Sequence, residues 1–181
     1  MSNGTPALVH LARAKIPHQI HEYEIPETGG PAQARGERIS YGTAAAAALK
    51  IPPAQMFKSL VVALTHAAGA SSALAARQEK YGIVLVSVDR EASLKRVARA
   101  FGARHAELLG AADVTKVTGY VIGGVSPFGT KRPLPVVIDD AALSLPRVYL
   151  SAGQRGLSIE ISSADLIRGL NALVAPVAGA E

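Results

Sequence analysis

The chain has 181 residues, 49% of them apolar, a formal net charge of +5, and neither cysteine nor tryptophan. That length fits one domain over residues 1–181, able to bury about 70% of its unfolded surface without covalent staples. There is no disulfide, thiolate metal site or cysteine nucleophile, no apolar run near the ~18 residues of a membrane span, and no signal-peptide pattern in residues 1–6, so a cytoplasmic protein is expected. The positive charge is compatible with a polyanion such as nucleic acid, and equally with an ordinary soluble protein. Aromatics are too scarce for a broad base-stacking platform, though a single tyrosine or phenylalanine can hold one terminal base.

Thr5-Pro6 supplies an N-cap and a first-turn proline for a helix that uses Leu8, Leu11 and Ala12 and stops before Pro17. Residues 18–24 alternate and predict a strand; residues 25–40, rich in proline, glycine and charge, predict a loop. Ser40 or Thr43 can cap an alanine-rich helix that runs to Leu49 and is ended by Pro52-Pro53. Residues 57–64 predict a strand with a lysine, Lys58, at its start, and residues 66–79 an extended connection of small and polar residues.

Residues 81–88 predict a buried strand. Leu94, Val97, Ala98 and Phe101 recur at helical spacing and predict an amphipathic helix closed by Gly102. A short strand at 104–108 and a short helix at 111–117 follow. Residues 119–129, Gly-Tyr-Val-Ile-Gly-Gly-Val-Ser-Pro-Phe-Gly, combine a short apolar strand with glycines and a Ser-Pro. Residues 134–139, 147–150 and 157–161 predict three more strands. Ser162-x-x-Asp165 resembles a capping box for a last helix with Leu166, Ile167, Leu170, Leu173 and Val174 on one face. No internal repeat occurs. The pattern is that of an α+β domain of about seven strands with surrounding helices.

Two features carry chemistry. Glycines let a backbone approach a ligand closely, and a lysine entering an apolar strand needs an anionic or strongly polar partner. Together they describe a pocket whose polar contacts are backbone groups and one cation. The glycine segment fails two better-known patterns. A P-loop needs Lys before Ser/Thr at the start of a helix, whereas Thr130-Lys131 is reversed and Pro133 and Pro135 forbid the helix. A nucleophile elbow uses the N–H after its serine, and Pro127 has none, so Ser126 reads as a turn residue. His18 and His21 fall on opposite faces of a strand, and without an H-x-x-x-H pair no metal site is expected. Asp139-Asp140 reads as a turn cap more readily than a magnesium pair. Lys95, Arg96 and Arg99 form either a solvated helix face or a stripe for phosphates.

Four pieces in this order also carry a resemblance: Phe57-Lys58-Ser59-Leu60; Thr118-Gly119-Tyr120 through Ser126-Pro127-Phe128-Gly129; Leu134-Pro135 with Val137-Ile138-Asp139; and Ser151 through Leu157. Over residues 5–175 the chain resembles the YbaK/EbsC family, freestanding relatives of the editing domain of prolyl-tRNA synthetase, and within it the Cys-tRNA(Pro) deacylase type. The resemblance implies a curved mixed sheet closed into a barrel-like core. It implies an enzyme that cleaves the ester between a wrong amino acid, cysteine first, and the 3′ end of tRNA(Pro). Prolyl-tRNA synthetase is the implied protein partner, and no cofactor or metal is implied.

The family's central lysine falls on Lys58, with backbone groups of Gly123 and Gly124 as the oxyanion-stabilising set. Tyr23, Tyr41, Ser59 and Ser158 are implied pocket residues; Tyr120, Ser126 and Arg155 complete the candidate substrate-binding set. Tyr41 stands where phenylalanine is common, Ser59 where threonine is, and Ser158 where the cysteine-specific branch often carries aspartate. The last change leaves alanine, serine or a non-protein amino acid open as substrate. A non-catalytic acceptor-end or small-ligand binding module, and an unrelated small-molecule hydrolase, remain the alternatives.

Overall fold

The computed structural model describes residues 4–25, 40–66 and 80–179. Among them run five α-helices and eight strands: α1 (Pro6–Arg13), β1 (Gln19–Glu22), α2 (Tyr41–Leu49), β2 (Phe57–Thr65), β3 (Tyr81–Ser87), α3 (Leu94–Ala100), β4 (His105–Leu108), α4 (Ala111–Thr118), β5 (Val136–Asp139), β6 (Arg147–Gln154), β7 (Leu157–Ser162), α5 (Ser163–Leu170) and β8 (Leu173–Ala175). Most of the expected loop at 25–40 and of the connection at 66–79 lies outside the described residues.

The strands form two sheets rather than one closed barrel. One has three strands in the order β1-β7-β6; the other has five in the order β4-β2-β3-β5-β8. They approach closure at a single point, a parallel bridge between Met56 and Tyr149. The five-stranded sheet is mixed, because β5 runs parallel to both β3 and β8. Its inward residues Phe57, Val61, Ile83, Leu85 and Ile138 meet Leu150, Ile159 and Ile161 of the smaller sheet in one core, which also takes Leu11, Phe128 and Leu166. Each such buried side chain contributes roughly 1.5–3 kcal/mol. The reverse face of the larger sheet, through Val62, Val84 and Val137, packs against Val97 and Ala98 of α3.

Caps set the helix limits. Thr5 Oγ1 accepts from Leu8 N–H and donates to the Ala152 carbonyl, tying α1 to β6. Ser40 caps α2, and the helix stops at Lys50 in a left-handed conformation, before the proline pair, which opens a 3-10 turn instead. Ser162 caps α5. The sequence pattern carried that helix through Val174, but Asn171 takes a left-handed conformation with its N–H on the last carbonyls. Leu173 and Val174 therefore leave the helix and pair with Val137 and Ile138 as the eighth strand. No strand forms at residues 120–122 either: Gly119 ends α4 at φ +82°, and Gly124 N–H closes a turn on the Val121 carbonyl.

Candidate active site

β4 pairs β2 only over Val62–Thr65. Among the described residues the edge of β2 around Lys58, Ser59 and Leu60 is thus without a sheet neighbour on that side, and a pocket of about 260 Å³ opens against it. Val61 C=O accepts from Leu109 N–H on the side of β2 away from β3. Strand periodicity aims the N–H and C=O of Ser59 the same way, toward the pocket. The walls come from three other directions: Tyr41, Gly42 and Ala45 of α2; Ile122, Gly123 and Val125 of the glycine segment; and Ser151 and Ser158 of the small sheet, with Tyr23 just after β1.

Each wall is placed by a local device. Ser158 faces Ser151 across β6–β7 and His21 across β1–β7, in the centre of the three-stranded sheet. Tyr23 N–H donates to the Gly156 carbonyl in the β6–β7 turn. Gly42 lets α2 approach the chain just after β3, since a side-chain carbon there would stand 2.4 Å from Cγ1 of Val88. Gly123 has φ +86°, and a carbon added to it would stand 2.7 Å from Cγ of the Tyr41 ring. Arg155 stacks on the same ring at 4.5 Å and donates from Nε to the Ile122 carbonyl. It braces α2 against the glycine segment.

Two polar groups stand out. Lys58 Nζ lies 3.2 Å from Glu91 Oε1; the lysine side chain is 22% exposed, its partner 87%. Ser59 Oγ is buried and finds no hydrogen-bond partner among the described residues. An unpaired buried hydroxyl costs about 1–3 kcal/mol, which a ligand group in the pocket would relieve. Gly123 N–H likewise has no partner among them. Gly124 N–H is engaged by Val121 and cannot serve as an oxyanion donor in this arrangement. Among the described residues no carboxylate or imidazole lines the pocket, and no group of three metal-ligating side chains occurs.

The structure brings Tyr23, Tyr41, Lys58, Ser59, Gly123 and Ser158 to one cavity. Tyr120 and Ser126 lie beneath it. The buried Tyr120 hydroxyl donates to the Phe128 and Gly129 carbonyls, and burial pushes its pKa up to about 12. Ser126 Oγ accepts from Phe128 N–H as a turn residue. Asp139 accepts from the N–H groups of Val177, Ala178 and Ala141, holding the segment after β8. The sequence reading missed Ser40, Met56, Ile122 and Ser151. The register of the β6–β7 hairpin, which puts Ser151 opposite Ser158, was the signal for the last.

Beside the pocket, on the same face of the small sheet, Glu160 gathers His21 Nε2 at 2.9 Å and Arg147 Nη1 at 3.3 Å. Burial alone would raise this carboxyl; hydrogen bonds from His21 and Tyr149 and the Arg147 charge outweigh it and hold the pKa below the ordinary glutamate value.

The lysine-bearing edge of β2, the glycine turn and the serine-lined hairpin all fall within one segment that matches a known family. The model of that family, the aminoacyl-tRNA editing domain, matches residues 39–168, and the chain belongs to it. Over 179 residues it is 26% identical to the Enterococcus faecalis protein named "Putative Cys-tRNA(Pro)/Cys-tRNA(Cys) deacylase EbsC", covering 98% of this chain and 94% of that one. A multifunctional Ser/Thr-tRNA deacylase of Escherichia coli, ProXp-y, is 28% identical over 48% of this chain and 52% of its own length. The fold matches, with a TM-score of 0.74 and 23% identity, the crystal structure of "a putative trans-editing enzyme for prolyl tRNA synthetase", covering 97% and 96% of the two chains. Among the described residues no helix is long and apolar enough to cross a membrane.

Proposed function

We propose that this protein is a trans-editing aminoacyl-tRNA deacylase that clears a small mischarged amino acid, cysteine first, from tRNA(Pro) in the cytoplasm. The observation that carries the reading is the pocket's polar set: a cation, an unpartnered buried hydroxyl and an unpartnered backbone N–H around a cavity of about 260 Å³. That volume accommodates a small aminoacyl ester together with its ribose. Size alone separates such small side chains by only about 1–3 kcal/mol, which is why a second sieve is useful after synthesis.

The ester is already activated, so positioning and charge stabilisation can carry much of the reaction. Lys58 holds the substrate's terminal phosphate or polarises its carbonyl. Gly123 N–H, with the edge N–H of Ser59, faces the oxygen that becomes negative. A nucleophile adds to the carbonyl carbon, the bond to the ribose oxygen breaks, and that oxygen takes up a proton. Among the described residues no carboxylate or imidazole stands on the pocket wall, and the nucleophile in this reading is solvent water or the thiol of a cysteine substrate.

Ser158 in place of an acidic residue keeps serine and alanine esters in play as alternatives, and the Ser/Thr-tRNA deacylase relative supports that branch. Prolyl-tRNA synthetase is the partner proposed to help select tRNA(Pro), a reading supported by the likeness to a structure titled as a putative trans-editing enzyme for that synthetase. The test is deacylation of Cys-, Ala-, Ser- and Pro-tRNA(Pro) and Cys-tRNA(Cys) by wild type and Lys58→Ala at low salt, with and without the synthetase. Loss of Cys-tRNA(Pro) that vanishes in the folded variant supports the assignment; preference for Ala or Ser moves the substrate; no cleavage of any ester overturns it in favour of a binding module.

A further inference from the structure

A second and larger cavity, about 570 Å³, lies between α3 and the start of β4, lined by Leu94, Lys95, Ala98, Arg99, Ala103, Arg104 and His105. Its charged lining is entirely basic. Lys95, Arg99, Arg104 and His105 are all exposed, and none of the four is in an ion pair among the described residues. Holding three permanent cations together costs mutual repulsion, and no carboxylate here offsets it.

The structure also divides the basic residues of α3 by task. Arg96 Nη1 donates to the Ala178 carbonyl and its guanidinium packs on Gly179, pinning the C-terminal segment to the helix. Lys95 and Arg99, one turn apart and about 6 Å along the helix axis, turn instead to the groove, where Arg104 and His105 join them. Gly102, at φ +66°, makes the turn that brings the latter pair round.

The groove is linked to the candidate active site through one short stretch of chain. Glu91, the partner of Lys58, precedes the Ser93 cap of α3 by two residues. Lys95 stands in the first turn of the helix, and the track continues through Arg99 to Arg104 and His105 away from Lys58.

Resting on the deacylase reading, we propose that the α3–β4 groove seats phosphodiesters of the RNA strand leading to the aminoacylated 3′ end. The pocket takes the ester and its ribose, and the groove takes backbone charge. Recognition here is of phosphate and not of base sequence, so it adds affinity and orientation without choosing a tRNA.

The experiment measures binding of an uncharged tRNA and of a trinucleotide ending in CCA by fluorescence anisotropy across a salt series. The proteins are wild type, Lys95→Glu/Arg99→Glu, and the milder Lys95→Gln/Arg99→Gln, each checked for folding by circular dichroism. Two lost phosphate contacts should flatten the slope of log affinity against log salt by roughly 1.4–1.8. Affinity for tRNA should fall at least about 10-fold in the charge reversal and less in the Gln variant, with trinucleotide binding nearly unchanged. Equal tRNA affinity and slope in all three proteins would overturn the groove while leaving the deacylase reading intact. Groove-dependent binding by a wild type that cleaves no ester would keep the groove and sink the deacylase.

Discussion

Lys58 Nζ sits 3.2 Å from a carboxylate oxygen of Glu91, yet Glu91 is 87% exposed and belongs to the loop that starts α3. The pair joins the pocket to the surface, and it occupies the one cation on the pocket wall among the described residues. A substrate anion has to compete for that cation. An exposed pair of this kind contributes about 0–1 kcal/mol, so the competition is weak but measurable. Glu91→Gln should leave folding unchanged and lower KM for an aminoacyl-tRNA by about two- to fivefold, the factor that corresponds to 0.5–1 kcal/mol. Steady-state deacylation at low salt checks this; a higher KM would show that Glu91 positions Lys58 instead of competing for it.

Gly123 carries a different constraint. Its φ of +86° is unfavourable for any residue with a Cβ, and that carbon would stand 2.7–3.0 Å from three atoms of the Tyr41 ring. Gly123→Ala therefore pays backbone strain of about 1–2 kcal/mol and displaces the ring that Arg155 braces. The expected outcome is a stability loss of that size in urea melts and a fall of at least about 10-fold in kcat/KM. Full activity with the same loss of stability would remove Tyr41 and Gly123 from the pocket's working surface.

The elements legible in the sequence were those whose signals are local. Thr5-Pro6, Ser40 and Ser162 announce caps, and the run at 81–88 announces a buried strand, because capping and burial act over a few residues. The last helix was drawn too long because Leu173 and Val174 continue its apolar spacing; only the left-handed Asn171 and the vacant edge of β5 turn them into a strand. The closed barrel-like sheet that the resemblance implied does not form: the strands make two sheets, and among the described residues β2 has no partner strand beside Lys58 and Ser59 on the side of β4, a matter of long-range pairing. The pocket residues named from the resemblance that do meet at one cavity are Tyr23 after β1 and those on β2, α2, β7 and the Gly123 turn. Tyr120 and Ser126 share the same motif but hydrogen-bond inward, a difference that spacing along the chain does not reveal.

Ser158 is 1% exposed, yet it borders the pocket opposite Ser151. A hydroxyl there can exchange hydrogen bonds with a substrate hydroxyl or thiol, but has nothing to offer an alanine methyl. Ser158→Ala should lower kcat/KM for the serine or cysteine ester about 10-fold relative to the alanine ester, the equivalent of one net hydrogen bond of about 1–1.5 kcal/mol. Competition assays with pairs of aminoacyl-tRNA(Pro) substrates read this ratio directly. Equal losses on all three esters would assign Ser158 to packing of the sheet and leave selectivity to the other walls.

Glu160 sets the acid limit of the small sheet. Its folded pKa lies below the ordinary value because His21, Tyr149 and Arg147 favour the carboxylate more than burial disfavours it. A depressed folded pKa means that the unfolded chain binds the proton first. The contribution is therefore fully present above the unfolded pKa, and is lost as pH falls from about 4.5 through the folded pKa. Glu160→Gln removes this titration while keeping a group that can accept from Arg147 or His21. Near neutral pH the variant should be the less stable protein, and below pH 4.5 the gap between the two should narrow. Urea midpoints across that range provide the measurement. A gap that stays constant with pH would show that the carboxylate's charge plays no part in holding β1, β6 and β7 together, and that the cluster acts through shape alone.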